Sequence, residues 1–329
     1  MKTIFEYSVW VLAFGTSLSH ATVLPRQQSS CTAPAQRTEW RSLPVVQREE
    51  YISAVQCLAS KPSKLGLNST LYDDFPYVHN QLNSQIHFVA SFLPWHRWFV
   101  HIYETALRSE CGYTSPMPFW DWTLDAGHMR DSPVLSNSST SGFGGDGSGG
   151  FVSPSRPNPL TSCISTGAFT NLTVAYYAGD ARPHCINRGF TDGFDEDPEM
   201  NKDMMAAWYT PAAIKNLTES NHDFENFWDA LENGPHGAIH NVLGGDMVPA
   251  TSPNDPLFIM HHCQIDRLWW LWQQEDASVR NRDYSGRKNQ EPDETPAALG
   301  DSLQFLGLGT DVTVESVMTT ETDSLCYKY

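Results

Sequence analysis

Positive charge is the scarcest commodity in this chain. Lysine and arginine together number 21 against 38 aspartates and glutamates, a formal net charge of −17 over 329 residues. A surface of that sign repels phosphate, so nucleic acid and anionic membranes are poor partners. It fits a soluble extracellular enzyme with a neutral small substrate. Long apolar runs are also missing. The one candidate, Tyr7–Leu18, follows a single early cation at Lys2 and precedes Ser19-His20-Ala21. It is too short to span a bilayer and has the layout of a secretory leader over residues 1–21. The mature chain is expected to start near Thr22, with further trimming possible at Leu24-Pro25-Arg26. No internal repeat and no linker divides residues 22–329, so a single large domain is expected, and its length can bury a sizeable core.

Cysteine is sparse but informative. There are seven, an odd number, and in an oxidising compartment six are expected to pair. The expected pairs are Cys57–Cys111, Cys163–Cys185 and a terminus-joining Cys31–Cys326, which leaves Cys263 free and buried beside His262. Acceptor sequons at Asn68, Asn137, Asn171 and Asn216 agree with a secreted, glycosylated protein.

Against these scarcities stand the histidines. GPHGAIHNVLGGDM places His236 and His240 four residues apart, on one face of a helix, where both can reach one metal. SPNDPLFIMHHCQIDRLWWLWQ follows, with His261 and His262 opening a second helical stretch. Upstream, His79, His87 and His96 form another group in YDDFPYVHNQLNSQIHFVASFLPWHR. His101, His128, His184 and His222 stand alone and read as ordinary core or surface histidines. Neutral imidazoles with no interleaved carboxylate favour copper or zinc over iron, magnesium or calcium. One zinc on three histidines would make a hydrolytic centre. Two facing triplets suit a pair of coppers that handles dioxygen.

The remaining elements are read more coarsely. Helices are expected over Ser42–Leu58, within Leu71–His87, over Trp95–Glu110 and over Asn221–Leu231. PFWDWT at Pro118–Thr123 reads as an aromatic turn or short strand. Leu124–Asn201, with its SGFGGDGSGG run, reads as a long irregular region, and the chain should end in short strand-like pieces.

DDFPYVH, IHFVASFLPWHR with its histidines nine residues apart, PFWDWT, HGAIH and SPNDPLFIMHH with the following Asp266 together resemble the type 3 copper proteins. Short fungal tyrosinase-like polyphenol oxidases and catechol oxidases are the nearest kind, and the resemblance covers roughly residues 31–329. It implies a mainly α fold, a four-helix bundle around a dicopper centre with long loops and little β-structure. It implies copper A on His79, His87 and His96, and copper B on His236, His240 and His262, with His261 supporting the site. Phe258 would pack against the metals, and Arg97 and Asp266 would brace the helices that carry the ligands. Glu232 would hold a water near the substrate.

The implied chemistry is oxidation of o-diphenols, and of o-aminophenols by extension, to o-quinones, with O2 reduced to water. Family members that hydroxylate monophenols well often carry Asn directly after the first copper B histidine. Here that residue is Gly237, while Asn241 follows His240, a departure that favours diphenol oxidation over monophenol hydroxylation. Gln85 replaces the cysteine that forms a Cys–His thioether in many relatives. Tyr327-Lys328-Tyr329 resembles the Y-x-Y motif that closes the catalytic core, so no C-terminal plug domain is expected. A tyrosinase proper and, more distantly, a dioxygen carrier are the competing readings. The expected partners are a small phenol and O2, with the oligomeric state open.

Overall fold

The computed structural model describes residues 31–147, 162–191, 203–290 and 295–329. The leader expected over residues 1–21 lies outside them. The chain enters through two short strands, β1 (Ala35–Gln36) and β2 (Thr38–Glu39), and then α1 (Val45–Leu58). α2 (Leu71–Gln81) begins at a capping box: the Thr70 side chain accepts from the Asp73 amide while Asp73 accepts from the Thr70 amide. That reciprocal pair, with Asp73 and Asp74 in the first turn, satisfies otherwise orphaned amides and fixes where the helix starts.

α2 stops before the second histidine. A four-residue α3 (Asn83–Ile86) intervenes, and His87 caps it in an extended conformation. α4 (Phe92–Cys111) then runs for 20 residues and ends on Gly112 with φ 69, the left-handed cap glycine adopts without penalty. PFWDWT is strand and turn at once: Pro118–Phe119 forms β3, parallel to β2, and Trp122–Asp125 forms a 3-10 turn.

The region expected to be irregular contains real structure. Among its described residues, β4 (Thr173–Tyr177) and β5 (Asp180–Cys185) form an antiparallel hairpin. Ala178 and Gly179 link them with φ of 49 and 92, the pair of positive angles that suits a two-residue hairpin turn. After α5 (Pro211–Ser220) and α6 (Phe224–Leu231), a widened turn over Glu232–His236 leads straight into α7 (Gly237–Leu243). α8 spans Leu257–Glu275. It begins earlier than the sequence suggests, so His261 and His262 lie in its second turn rather than at its start. The end of the chain adds β6 (Ser302–Leu303), β7 (Val312–Thr313) and β8 (Tyr327–Lys328), the last paired with β1.

Four helical rods therefore surround the histidines: α2, α4, the kinked α6–α7 rod and α8. This is the mainly helical bundle with little strand that the resemblance implies. Behind the histidines the bundle is locked by one carboxylate. Asp266 on α8 pairs with Arg97 Nε of α4 at 2.5 Å and Arg37 at 3.3 Å, and accepts from the Tyr327 and Tyr329 hydroxyls. The Arg97 guanidinium also lies 3.6 Å over the Trp269 ring. Arg37, Arg97 and Asp266 are all buried; removing one member of such a group leaves uncompensated charge and costs about 3–5 kcal/mol. The same corner carries the Cys31–Cys326 disulfide, and Cys57–Cys111 and Cys163–Cys185 complete the expected set. Cys263 is free and buried, and burial pushes its thiol up to about 12, which makes it an inert core residue.

Candidate metal centre

Each histidine expected to act arrives on a different kind of support. His79 ends α2, His96 sits in the first turns of α4, and His87 comes from the extended residue between them. His236 and His240 lie one turn apart where the kinked rod becomes α7, and His261 and His262 sit on α8. They converge into two groups, His79, His87 and His96 in one and His236, His240, His261 and His262 in the other. Within each group the nitrogens that could face a metal lie within 4.8 Å of one another. The groups face each other, with the His96 and His262 rings stacked at 4.3 Å.

Backbone carbonyls orient the rings. Nδ1 of His79 donates to Ala250 at 2.7 Å, that of His96 to Phe92 at 2.7 Å, and that of His87 to Asn83 at 3.3 Å. In the second group His236 donates to Glu232 at 3.1 Å and His240 to Met247 at 2.5 Å. A neutral imidazole that donates through Nδ1 carries a lone pair on Nε2. Burial, followed by the neighbouring histidines, holds His79, His96, His236 and His262 well below the ordinary range, and burial holds His240 down at about 4. The rings are thus neutral ligands at physiological pH.

The donor set fits metal. Nε2 of His79 and His96 face each other at 3.2 Å, two lone pairs that repel until a cation lies between them. Nε2 of His236, His240 and His261 and both nitrogens of His262 are buried without a protein partner, as atoms facing a metal would be. His261 differs. Its Nδ1 accepts the indole N–H of Trp122 at 3.1 Å, so in the neutral ring the proton sits on Nε2, the nitrogen facing the cluster. In that tautomer Nε2 carries a proton rather than a lone pair, unlike the Nε2 atoms of the other histidines in the group.

The other expected residues also gather here. Phe258 is fully buried, with its ring 4.1 Å from His262, 5.1 Å from His79 and 5.9 Å from His240. Glu232, Gly237 and Asn241 line a cleft of about 420 Å3 that opens onto His79, His87, His236 and His240. Glu232 is 2 % exposed. Both its oxygens accept from the Phe88 amide at 2.9 Å, and burial, its largest influence, pushes its carboxyl up to about 8 against the opposing pull of that amide. A side chain at Gly237 would meet only the Glu232 carbonyl, 3.4 Å from the position of a Cβ.

Sequence reasoning missed three parts of the site. The Ala250 and Met247 carbonyls are backbone groups and leave no residue-type signal. Trp122 stood in a recognised motif, but its partner was visible only in three dimensions. The GG of HNVLGGDM did carry a signal. Gly244 and Gly245 have φ of 63 and 54, and a Cβ on either would fall within 2.3 Å of the backbone oxygen of Gly189 or Asn187. Only glycine fits there, and the close approach delivers the Met247 carbonyl to His240.

A helical bundle that aims two sets of buried, neutral histidine nitrogens at one another defines a protein of the paired-metal, all-histidine class. Residues 69–275 match the model of the common central domain of tyrosinase. Tyrosinase-like protein phomQ1' of Diaporthe leptostromiformis is 39% identical over 325 residues, covering 95% of this chain and 84% of the relative. Tyrosinase ustQ of Aspergillus flavus is 39% identical over 302 residues, covering 91% and 80%. Among solved structures, a polyphenol oxidase variant from Thermothelomyces thermophila superposes with a TM-score of 0.77 at 30% identity, covering 90% of this chain and 88% of that one. The chain belongs to the tyrosinase family of type 3 copper proteins, which work through a dicopper centre.

Proposed function

We propose that the chain oxidises o-diphenols to o-quinones, with one copper on His79, His87 and His96 and the other on His236, His240 and His262. The observation that carries this reading is the facing pair of histidine groups with their buried Nε2 lone pairs, opening onto a cleft. When bound, the copper pair supplies the redox chemistry, in which the electrons of two diphenols reduce one O2 to water. The protein's own residues do the rest. Phe258 packs against His79 of one group and His240 and His262 of the other, which fixes the orientation of those rings. Glu232 is the only carboxyl group among the described residues lining the cleft, so its Oε atoms are where a water is held or a phenolic proton received. Gly237 leaves the space beside Glu232 open and offers no side-chain amide to help it activate a water, which favours diphenols over monophenols. Asn241 lines the same cleft one turn further on, and the relatives named tyrosinase favour a second reading, hydroxylation of monophenols. The three disulfides support an oxidising, extracellular setting.

Oxygen uptake by copper-loaded protein with 4-methylcatechol and p-cresol tests the proposal. Uptake with the catechol alone is the expected result. Uptake with both, after a lag on p-cresol, would establish the second reading instead, and uptake with neither would refute both. Gly237→Asn sharpens the same test: it should bring measurable uptake with p-cresol, and a variant as inactive on p-cresol as the wild type would remove Gly237 as the marker of diphenol preference.

A further inference from the structure

The mouth of the cleft is dressed in a way the oxidation chemistry does not require. Phe88, Val248 and Trp208 are 48%, 45% and 53% exposed, in a chain that buries most of its large apolar side chains. Phe88 and Val248 line the cleft itself. The Trp208 ring lies 3.7 Å from where a Cβ on Gly234 would stand, against the Glu232–His236 turn that forms one wall. A cluster of exposed apolar side chains around a concave site marks a binding surface.

Phe88 is held in place by the fold. Its φ is 55, in the left-handed region that bulky residues avoid, and its amide is fixed there by both oxygens of Glu232 at 2.9 Å. Backbone strain maintained beside a site is a sign of use, and here it accompanies a phenyl ring turned out to the cleft mouth. Charge points the same way. Among the described residues lining the cleft there is no lysine or arginine, and the whole chain carries −17. The cation whose charge reaches Glu232, Arg287, does not line the cleft, so a substrate carboxylate would find no partner within it and would enter against the net charge of the protein.

We propose that the site selects neutral o-diphenols bearing an apolar substituent on the ring, with Phe88, Val248 and Trp208 covering that substituent and diphenols carrying a carboxylate disfavoured. The inference rests on the proposed oxidation and names the class of substrate for the same site. A diphenol that turns its two hydroxyls toward the histidines points its 4-substituent back to the mouth, which Phe88 and Val248 line, with Trp208 packed at Gly234 on the adjoining turn.

The test compares 4-tert-butylcatechol with 3,4-dihydroxyphenylacetate on copper-loaded protein. The wild type should favour the former by about tenfold or more in kcat/KM, the discrimination a few buried methyl groups provide. Val248→Lys should lower kcat/KM for the apolar substrate and raise it for the anionic one. A structural disturbance would lower both, and that result would overturn the proposal. A second measurement needs no metal. 4-Hexylresorcinol added to the copper-free protein should give a saturable change in tryptophan fluorescence that Trp208→Phe abolishes. An equal change in wild type and Trp208→Phe would also overturn it. Failure of the wild type to oxidise either catechol would count against the oxidation itself, and the fluorescence result would then decide the present inference alone.

Discussion

The two histidine groups are built to different standards. His240 and His262 stand on helices and His236 closes the kinked Glu232–His236 turn, and a close carbonyl holds His240 at 2.5 Å. In the other group His79 and His96 stand on helices, but His87 hangs from an extended residue with a 3.3 Å bond to Asn83, next to strained Phe88. Gln85 stands where relatives place the thioether-forming cysteine, so no covalent link braces that ring. One group is thus borne on helices and on the kinked turn that leads into α7, the other on two helices and one extended residue, and the cleft opens onto both.

The largest effect should come from removing one ligand on each side. His87→Ala and His240→Ala should each abolish diphenol oxidation, but their remaining metal should differ in tenacity. The copper left in His87→Ala sits in the helix-borne group. It should withstand a competing chelator about tenfold better than the copper left in His240→Ala, within the range that ligand orientation contributes to affinity. The opposite order would show that the supporting elements do not decide the matter.

Trp122→Phe sharpens the comparison from outside the ligand set. Losing the indole N–H frees His261 to move its proton to Nδ1 and turn an Nε2 lone pair toward the second group, which should change copper retention there. The first group should be untouched, a difference that chelator titration followed by metal analysis would read. Equal weakening of both groups would mean that Trp122 acts through general packing.

The smallest effect concerns the hairpin behind the second group. His184 Nε2 donates to Asp246 at 2.8 Å. Burial opposes protonation of His184, but the hydrogen bond and charge of Asp246 outweigh it and hold the imidazole above its ordinary 6.5. Asp246 is itself pushed up, by burial first, against the pull of His184, so the pair gains less than two full charges would. A raised native pKa means the stabilisation is complete below 6.5 and is lost as pH climbs through the native value. Thermal melts should therefore show a decline over that interval, on the order of 1 kcal/mol or less after screening, that His184→Gln removes. An unchanged pH slope in the variant would assign the decline to other groups.

Much of this was legible in the sequence because metal ligation leaves residue-type signals. The HGAIH pair, the HH pair and the upstream triplet could be read from spacing, and the sixfold cysteine pairing from parity and compartment. What escaped depends on backbone geometry. TVAYYAGDARPHC holds a β-rich run and a turn, but Pro183 falls inside the second strand, a residue that reads against a strand. The early start of α8 was hidden because Pro256 reads as a break where it serves as the helix cap. The choice of His262 over His261 as ligand rests on family resemblance, and the Trp122 hydrogen bond to His261 Nδ1 gives a physical argument that copper content can test.

That choice gives the most direct test of the central claim, that three histidines on each side hold one copper apiece. Copper content after reconstitution should be measured for wild type, His261→Ala and His262→Ala. The account predicts two coppers per chain in the wild type and in His261→Ala, and about one in His262→Ala, the tautomer of His261 having excluded it from ligation. Loss of a copper from His261→Ala with full retention in His262→Ala would contradict it.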